Sequence, residues 1–145
     1  MAKGKFFYRE RQIVMVDYGP NPANLTTPVE KGPLSVLPEM YKTRHAIVMA
    51  KSMLGTTTVV PLSTNEPQHV MDFHYEIEAR TYDSLNENVS SWVKANMISN
   101  VSNERINRPL FEGRRTTILI ELNHFKEIRK AVLSGLGMGK LNEFI

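Results

Sequence analysis

Apolar and polar positions alternate in short runs through most of this chain and change to a helical period only near its end. Gln12 to Tyr18 (QIVMVDY) is apolar on both faces through Ile13, Val14, Met15 and Val16, which predicts a well-buried first strand. Ala46 to Ala50 and Thr57 to Leu62 are two further apolar runs with a turn near Lys51 to Gly55, the pattern of an antiparallel hairpin. Asp72 to Arg80 (DFHYEIEAR) puts Phe73, Tyr75, Ile77 and Ala79 on one face and charged or polar residues on the other, as a half-exposed antiparallel strand does. Ser90 to Ile98 (SSWVKANMI) predicts another strand, with Trp92, Lys94 and Asn96 facing away from Val93, Ala95 and Met97. Residues 99 to 113 read as irregular, with Pro109 and Gly113 as breakers, and Thr116 to Leu122 as a last strand.

From Asn123 the spacing Phe125, Ile128, Val132, Leu136 predicts a helix, with Asn123 as its N-cap, Gly135 or Gly137 as its stop, and residues 138–145 fraying. Short strands, tight turns and one closing helix point to a mainly β (α+β) chain: a small antiparallel barrel or strongly bent sheet with a C-terminal helix packed on it. The connection from 19 to 43 holds five of the eight prolines, and an irregular connection of that length is usually functional or mobile.

At 145 residues the chain fits one domain, 1–145, able to bury a core without cross-links. The absence of cysteine excludes disulfides, thiolate metal sites and cysteine catalysis, and suggests a reducing compartment. The basic start MAKGKFFYRER lacks the apolar run of a signal peptide, and no stretch has the length of a membrane span, so a cytoplasmic location with no membrane partner is expected. The net charge of +3 is matched by residues 1–12 alone, a basic N-terminal extension, so the other 133 residues are neutral in sum and a uniformly basic nucleic-acid coat is excluded. Within them, 41–64 carry three cations (Lys42, Arg44, Lys51) and no acid, whereas 65–89 are net −5. A local basic site beside an acidic flank can steer a short anionic ligand to one place.

The hairpin supplies the chemistry for such a ligand. A fold point near residues 53 and 54 brings position 44 opposite 62 and 63, so that Arg44, Ser63 and Thr64 share one strand end. A guanidinium fork matches two phosphoryl oxygens, and hydroxyls add donors without negative charge. Trp92, on the Lys94 face, is a candidate for stacking on an unpaired base. His69 and His74 are five apart in extended chain and point to opposite faces, against a metal pair. His74, Glu76 and Glu78 read as a solvated strand face. No phosphate-binding glycine loop or nucleophile elbow is present.

The succession of a QIVMVDY-like strand, a Gly/Pro-containing loop, an arginine opening an apolar strand (TRHAIVMA), VVPLST, SWVKANMI, the arginine of NERI and a final amphipathic helix resembles the MazF/PemK family of toxin endoribonucleases over roughly residues 11–136. The resemblance implies an SH3-like barrel, a homodimer and a cognate antitoxin protein. It also implies metal-independent, cofactor-free cleavage of single-stranded RNA, in which the 2′-hydroxyl attacks the adjacent phosphate to leave 2′,3′-cyclic phosphate and 5′-hydroxyl ends. Carried over by position, the family's catalytic arginine falls on Arg44 and its Ser/Thr pair on Ser63 and Thr64, which would stabilise charge on the phosphorane. A basic position on the later strand falls on Lys94, and a downstream arginine on Arg105; Lys42, His45, Trp92 and Asn96, which lie along the same segments, complete the expected RNA-binding set.

The chain departs from the pattern at His45, where many members have proline, and at Asn96, where members often carry an acid. Its loop 19–43 is also longer and lacks a histidine that some relatives use. The general base is thereby unassigned, with His45 the substitute that intrinsic pKa favours. Three functions stand at this level: an endoribonuclease toxin, a noncatalytic RNA- or protein-binding member of the same fold, and a gyrase poison resembling CcdB. The last depends on a Trp-Gly-Ile tail, whereas this chain ends Asn142-Glu143-Phe144-Ile145.

Overall fold

The computed structural model of the chain describes residues 7–20 and 40–145; most of the 19–43 connection and the first six residues of the basic extension lie outside them. Ten strands are described: β1 (Gln12–Asp17), β2 (Thr43–Met53), β3 (Thr56–Ser63), β4 (His74–Ile77), β5 (Ser91–Lys94), β6 (Ser99–Ser102), β7 (Ile106–Asn107), β8 (Leu110–Phe111), β9 (Arg114–Arg115) and β10 (Ile118–Leu119). One helix, α1 (Leu122–Gly135), follows, with 3-10 turns at Ala95–Met97, Asn103–Arg105 and Gly139–Phe144. The main sheet is antiparallel in the order β10-β1-β2-β3-β5-β4, with β6 also on β3 and β7 also on β1. The expected bent sheet with one C-terminal helix is the fold observed. Its strand path is open rather than closed into a continuous barrel, so SH3-like describes the architecture, not ladder closure.

The bend has a local cause. β3 pairs with β6 through Thr56–Val59 and with β5 through Leu62 and Ser63, and Pro61 sits at the changeover. A residue without an N–H interrupts a ladder least where one neighbour is exchanged for another. The β2–β3 hairpin closes through Leu54 and Gly55, at φ 52 and φ 80, as the favoured two-residue hairpin turn requires.

The two faces of the sheet bury different cores. Ile13, Ile47, Val60, Leu62, Ile77 and Val93 pack under α1 against Phe125, Ile128 and Val132. Val14, Val16, Tyr18, Ala46, Val48, Val59 and Ile106 pack on the other face. Phe125 is fully buried, which contributes about 2–3 kcal/mol of transfer free energy.

Six sequence expectations are corrected. The Ser90–Ile98 strand ends at Lys94: the chain loops out as a 3-10 turn at Ala95–Met97 and rejoins β3 as β6. The Asp72–Arg80 strand is paired only over His74–Ile77, because β5 offers four partners. The Thr116–Leu122 strand contributes two ladder residues, since β1 accepts β10 only at Gln12 and Ile13, and the N-cap of α1 is Glu121, not Asn123. Residues 99–113, read as irregular, hold β6 and β7 and begin the small β8–β9 hairpin. The tail expected to fray carries the 3-10 turn Gly139–Phe144. Gly137 (φ 75) ends α1, its N–H bonding to the Ser134 carbonyl while that of Met138 bonds to Leu133, a Schellman pair.

Candidate active site

Register places the site. Ala46 pairs with Pro61, and two further steps in the same register set Arg44 opposite Ser63; Ser63 pairs with Trp92, and His74 with Lys94. Because cross-strand partners share a face, Arg44, Ser63, Trp92, Lys94 and His74 all lie on the face opposite α1. The sheet thus collects residues from four strands into one polar patch.

Arg44 is half-buried and held by Tyr41. Its Nε donates to the Tyr41 carbonyl at 3.0 Å, and its guanidinium carbon lies 5.4 Å from the Tyr41 ring centroid. The two terminal nitrogens remain for a ligand. Ser63 is buried, and its Oγ accepts from the Asn65 N–H at 3.1 Å, which leaves its own O–H free to donate. Thr64 follows the last ladder residue of β3 and is exposed.

The electrostatics of the patch are cationic. Lys94 is half-buried, and its pKa is lowered first by burial and then by the nearby Arg44 charge. The pKa of His74 is lowered by burial and by Lys94. The His74 Nδ1 accepts from the Met71 N–H at 2.9 Å, so the neutral ring carries its proton on Nε2 and presents a donor. Tyr18, on the same face, has its pKa pushed up to about 12 by burial, opposed by the nearby Ser99 hydroxyl and by Arg44. The ion pairs formed among the described residues, Arg129–Glu10 and Lys130–Glu127, leave Arg44 and Lys94 without a carboxylate partner. Glu76 is the carboxylate on this face of β4: it lies three strands from Arg44, about 14 Å at the usual ~4.8 Å strand spacing, and one strand from Lys94, where it accepts from the Ser90 hydroxyl at 2.6 Å and forms no ion pair. Two neighbouring cations with no ion-paired acid favour an anion at this face.

Other expected residues fall differently. Trp92 is on the predicted face but only 7% exposed, so it is a wall beside Ser63 rather than an open stacking surface. Asn96 leaves the Lys94 face with the 3-10 turn: its backbone lies against α1, where a Cβ on Gly135 would stand 3.0 Å from the Asn96 Cα. His45 alternates away from Arg44, toward a 3.3 Å contact between its Nε2 and the Ser84 hydroxyl, and burial lowers its pKa. Lys42 is exposed at the entry to β2 with φ 59, and Arg105 donates to the Asp17 carbonyl at 3.2 Å, at the same end of β1. Sequence reasoning missed His74 as a member of the patch. The signal was its alternation with Tyr75 together with antiparallel pairing to the Lys94 strand. Among the described residues no three His, Asp or Glu side chains converge as metal ligands, and no helix is long and apolar enough to cross a membrane.

A bent antiparallel sheet backed by one C-terminal helix, with an arginine, a hydroxyl and a lysine gathered on one face, defines a small β protein with a cationic patch. The chain belongs to the family of PemK-like, MazF-like toxins of type II toxin-antitoxin systems, whose profile matches residues 10–134. Members of that family are generally endoribonucleases. Among solved structures, the fold is similar to MazF from Deinococcus radiodurans (16% identity, TM-score 0.59, covering 92% of this chain and 100% of that one). It is also similar to an endoribonuclease from Mycobacterial species in complex with its cognate antitoxin (12% identity, TM-score 0.57, 90% and 96%). A third likeness is to Mycobacterium tuberculosis toxin MazF-mt6 (12% identity, TM-score 0.52, 69% and 92%). At these identities the likeness shows the fold. A search of curated protein sequences gives no significant match.

Proposed function

We propose that this chain is an endoribonuclease that cleaves single-stranded RNA without a metal ion. The observation that carries the reading is the convergence of the Arg44 fork, the Ser63 hydroxyl and the Lys94 ammonium on one face, with neither cation ion-paired to a carboxylate among the described residues. In the proposed reaction the 2′-oxygen bonds to phosphorus as the P–O5′ bond breaks, the 2′ proton is lost and O5′ takes one up. A 2′,3′-cyclic phosphate and a 5′-hydroxyl result. Arg44 and Ser63 hold the nonbridging oxygens as charge grows on them. Lys94, with its lowered pKa, is the better acid for O5′, and the His74 Nε2–H is a further donor. Partners proposed from family membership are a second copy of the chain and a cognate antitoxin.

The test incubates the purified protein and Arg44→Ala with a long unstructured RNA in chelator and maps the ends. Cyclic phosphate ends are expected, with about 10²–10³-fold slower cleavage by Arg44→Ala. Intact RNA at high protein concentration overturns the reading. The second reading is a noncatalytic RNA-binding role, which the amide Asn96, standing where members often carry an acid, permits; RNA bound but left intact would establish it.

A further inference from the structure

A second groove lies on the same face at the far end of β2, a cavity of about 1260 Å³ lined in part by Phe7, Arg9, Lys51, Glu104 and Arg108. Its floor is a closed polar network. The Tyr8 N–H donates to Ser52 Oγ at 2.8 Å, the Ser52 and Thr57 hydroxyls are 2.6 Å apart, and Thr57 donates to Asn103 Oδ1 at 2.6 Å. Ser52, Thr57 and Asn103 are all buried, so the network fixes the N-terminal segment onto the hairpin and holds the rim in place.

The rim is built for something else. Arg9, Lys51 and Arg108 are exposed, and their one acidic neighbour in the lining is Glu104. Arg115, from the β8–β9 hairpin, donates to the Arg108 carbonyl at 2.8 Å and adds a fourth cation. None of the four forms a carboxylate ion pair among the described residues. Beside them Phe7 is 72% exposed. An exposed aromatic ring among unpaired cations is the combination that single-stranded nucleic acid requires: bases stack on the ring and phosphates meet the charges.

We infer that the groove formed by Phe7, Arg9, Lys51 and Arg108 binds a second stretch of single-stranded RNA, remote from the Arg44 patch. This rests on the proposed function only for the identity of the polymer. The eight residues from Arg44 to Ser52 at ~3.3 Å each separate the two sites by about 26 Å. A stacked strand rising ~3.4 Å per nucleotide covers that distance in about eight nucleotides. Short RNA therefore reaches one site and long RNA both.

The experiment measures fluorescence anisotropy of labelled polyuridine of about 25 and about six nucleotides, on either side of that reach. It is done in the Arg44→Ala background so that binding is read without cleavage. Lys51→Ala with Arg108→Ala is expected to weaken the long probe more than tenfold and to reduce the slope of log affinity against log salt by about 1.4, two phosphates at ~0.7 each. Phe7→Ala alone is expected to weaken it about tenfold. The short probe, which can sit at either site, should lose less than the long one, and both variants should melt with the parent, since the altered side chains are exposed. Unchanged affinity and slope for the long probe, or equal losses on both probes, overturn the inference. So does a variant that keeps the long probe and loses binding of polyglutamate, which would make the groove a protein site. Failure of the wild-type protein to cleave RNA would overturn the nuclease reading and leave these binding results standing.

Discussion

Replacing Gly135 with alanine opposes two effects that the structure lets one compare. Gly135 is the last residue of α1, and a glycine-to-alanine change inside an exposed helix gains up to about 1 kcal/mol. Here the added methyl would stand 3.0 Å from the Asn96 Cα, 3.1 Å from the Asn96 N and 3.3 Å from the Ala95 carbonyl carbon. All three are backbone atoms, so relief requires the helix end or the 3-10 turn to move. Overpacking of this kind costs about 1–3 kcal/mol, which exceeds the propensity gain. The net expectation is a loss of up to about 2 kcal/mol. At about 2–4 °C per kcal/mol for a domain of this size, Tm should fall by a few degrees. The same displacement reaches the active face, because the turn that Gly135 touches begins directly after Lys94. Differential scanning calorimetry paired with the cleavage rate is the assay, and both should drop. A Tm that rises would refute the reasoning, because it would mean that helix propensity dominates and that the helix does not press on the Ala95–Asn96 backbone.

Four further outcomes concern the site and the groove floor. Lys94 has a folded pKa below its ordinary value, so cleavage that uses its ammonium should fall as pH rises through that lowered pKa. Lys94→Arg should move the falling limb of the kcat/KM profile upward. By linkage the buried charge lowers stability at neutral pH and is relieved as pH rises toward the unfolded value, so Lys94→Met should melt higher at pH 7 while losing activity. Thr57→Val takes a hydroxyl from both Ser52 and Asn103 at a position 1% exposed and should lose about 1–3 kcal/mol in urea unfolding. A loss near zero would show that the network is not holding the N-terminal segment.

The sequence made the hairpin and the helix legible because each is set by local rules. The runs flanking Lys51–Gly55 could pair in few ways, and the register they favour is the one that faces Arg44 toward Ser63. The 3.6 period of Phe125, Ile128 and Val132 is likewise the buried stripe of α1. What alternation could not reveal was the break after Lys94. SSWVKANMI contains no glycine or proline to mark a break, and the loop-out at Ala95 is seen only where the helix end packs on it in three dimensions. The turn takes Asn96 off the face on which a strand pattern places it. His74 was hidden for a related reason: its role comes from its partner across the ladder, and pairing between distant segments leaves no mark on either one alone.

The indole of Trp92 gives the molecule a built-in optical reporter. It is the single tryptophan in the chain, sealed from solvent beside Ser63 and two residues before Lys94. All tryptophan emission therefore originates at the wall of the anion patch. A phosphate arriving there changes the field at the ring, so unlabelled RNA, an antitoxin or an inhibitor could be titrated by intrinsic fluorescence, with no second tryptophan elsewhere to dilute the signal.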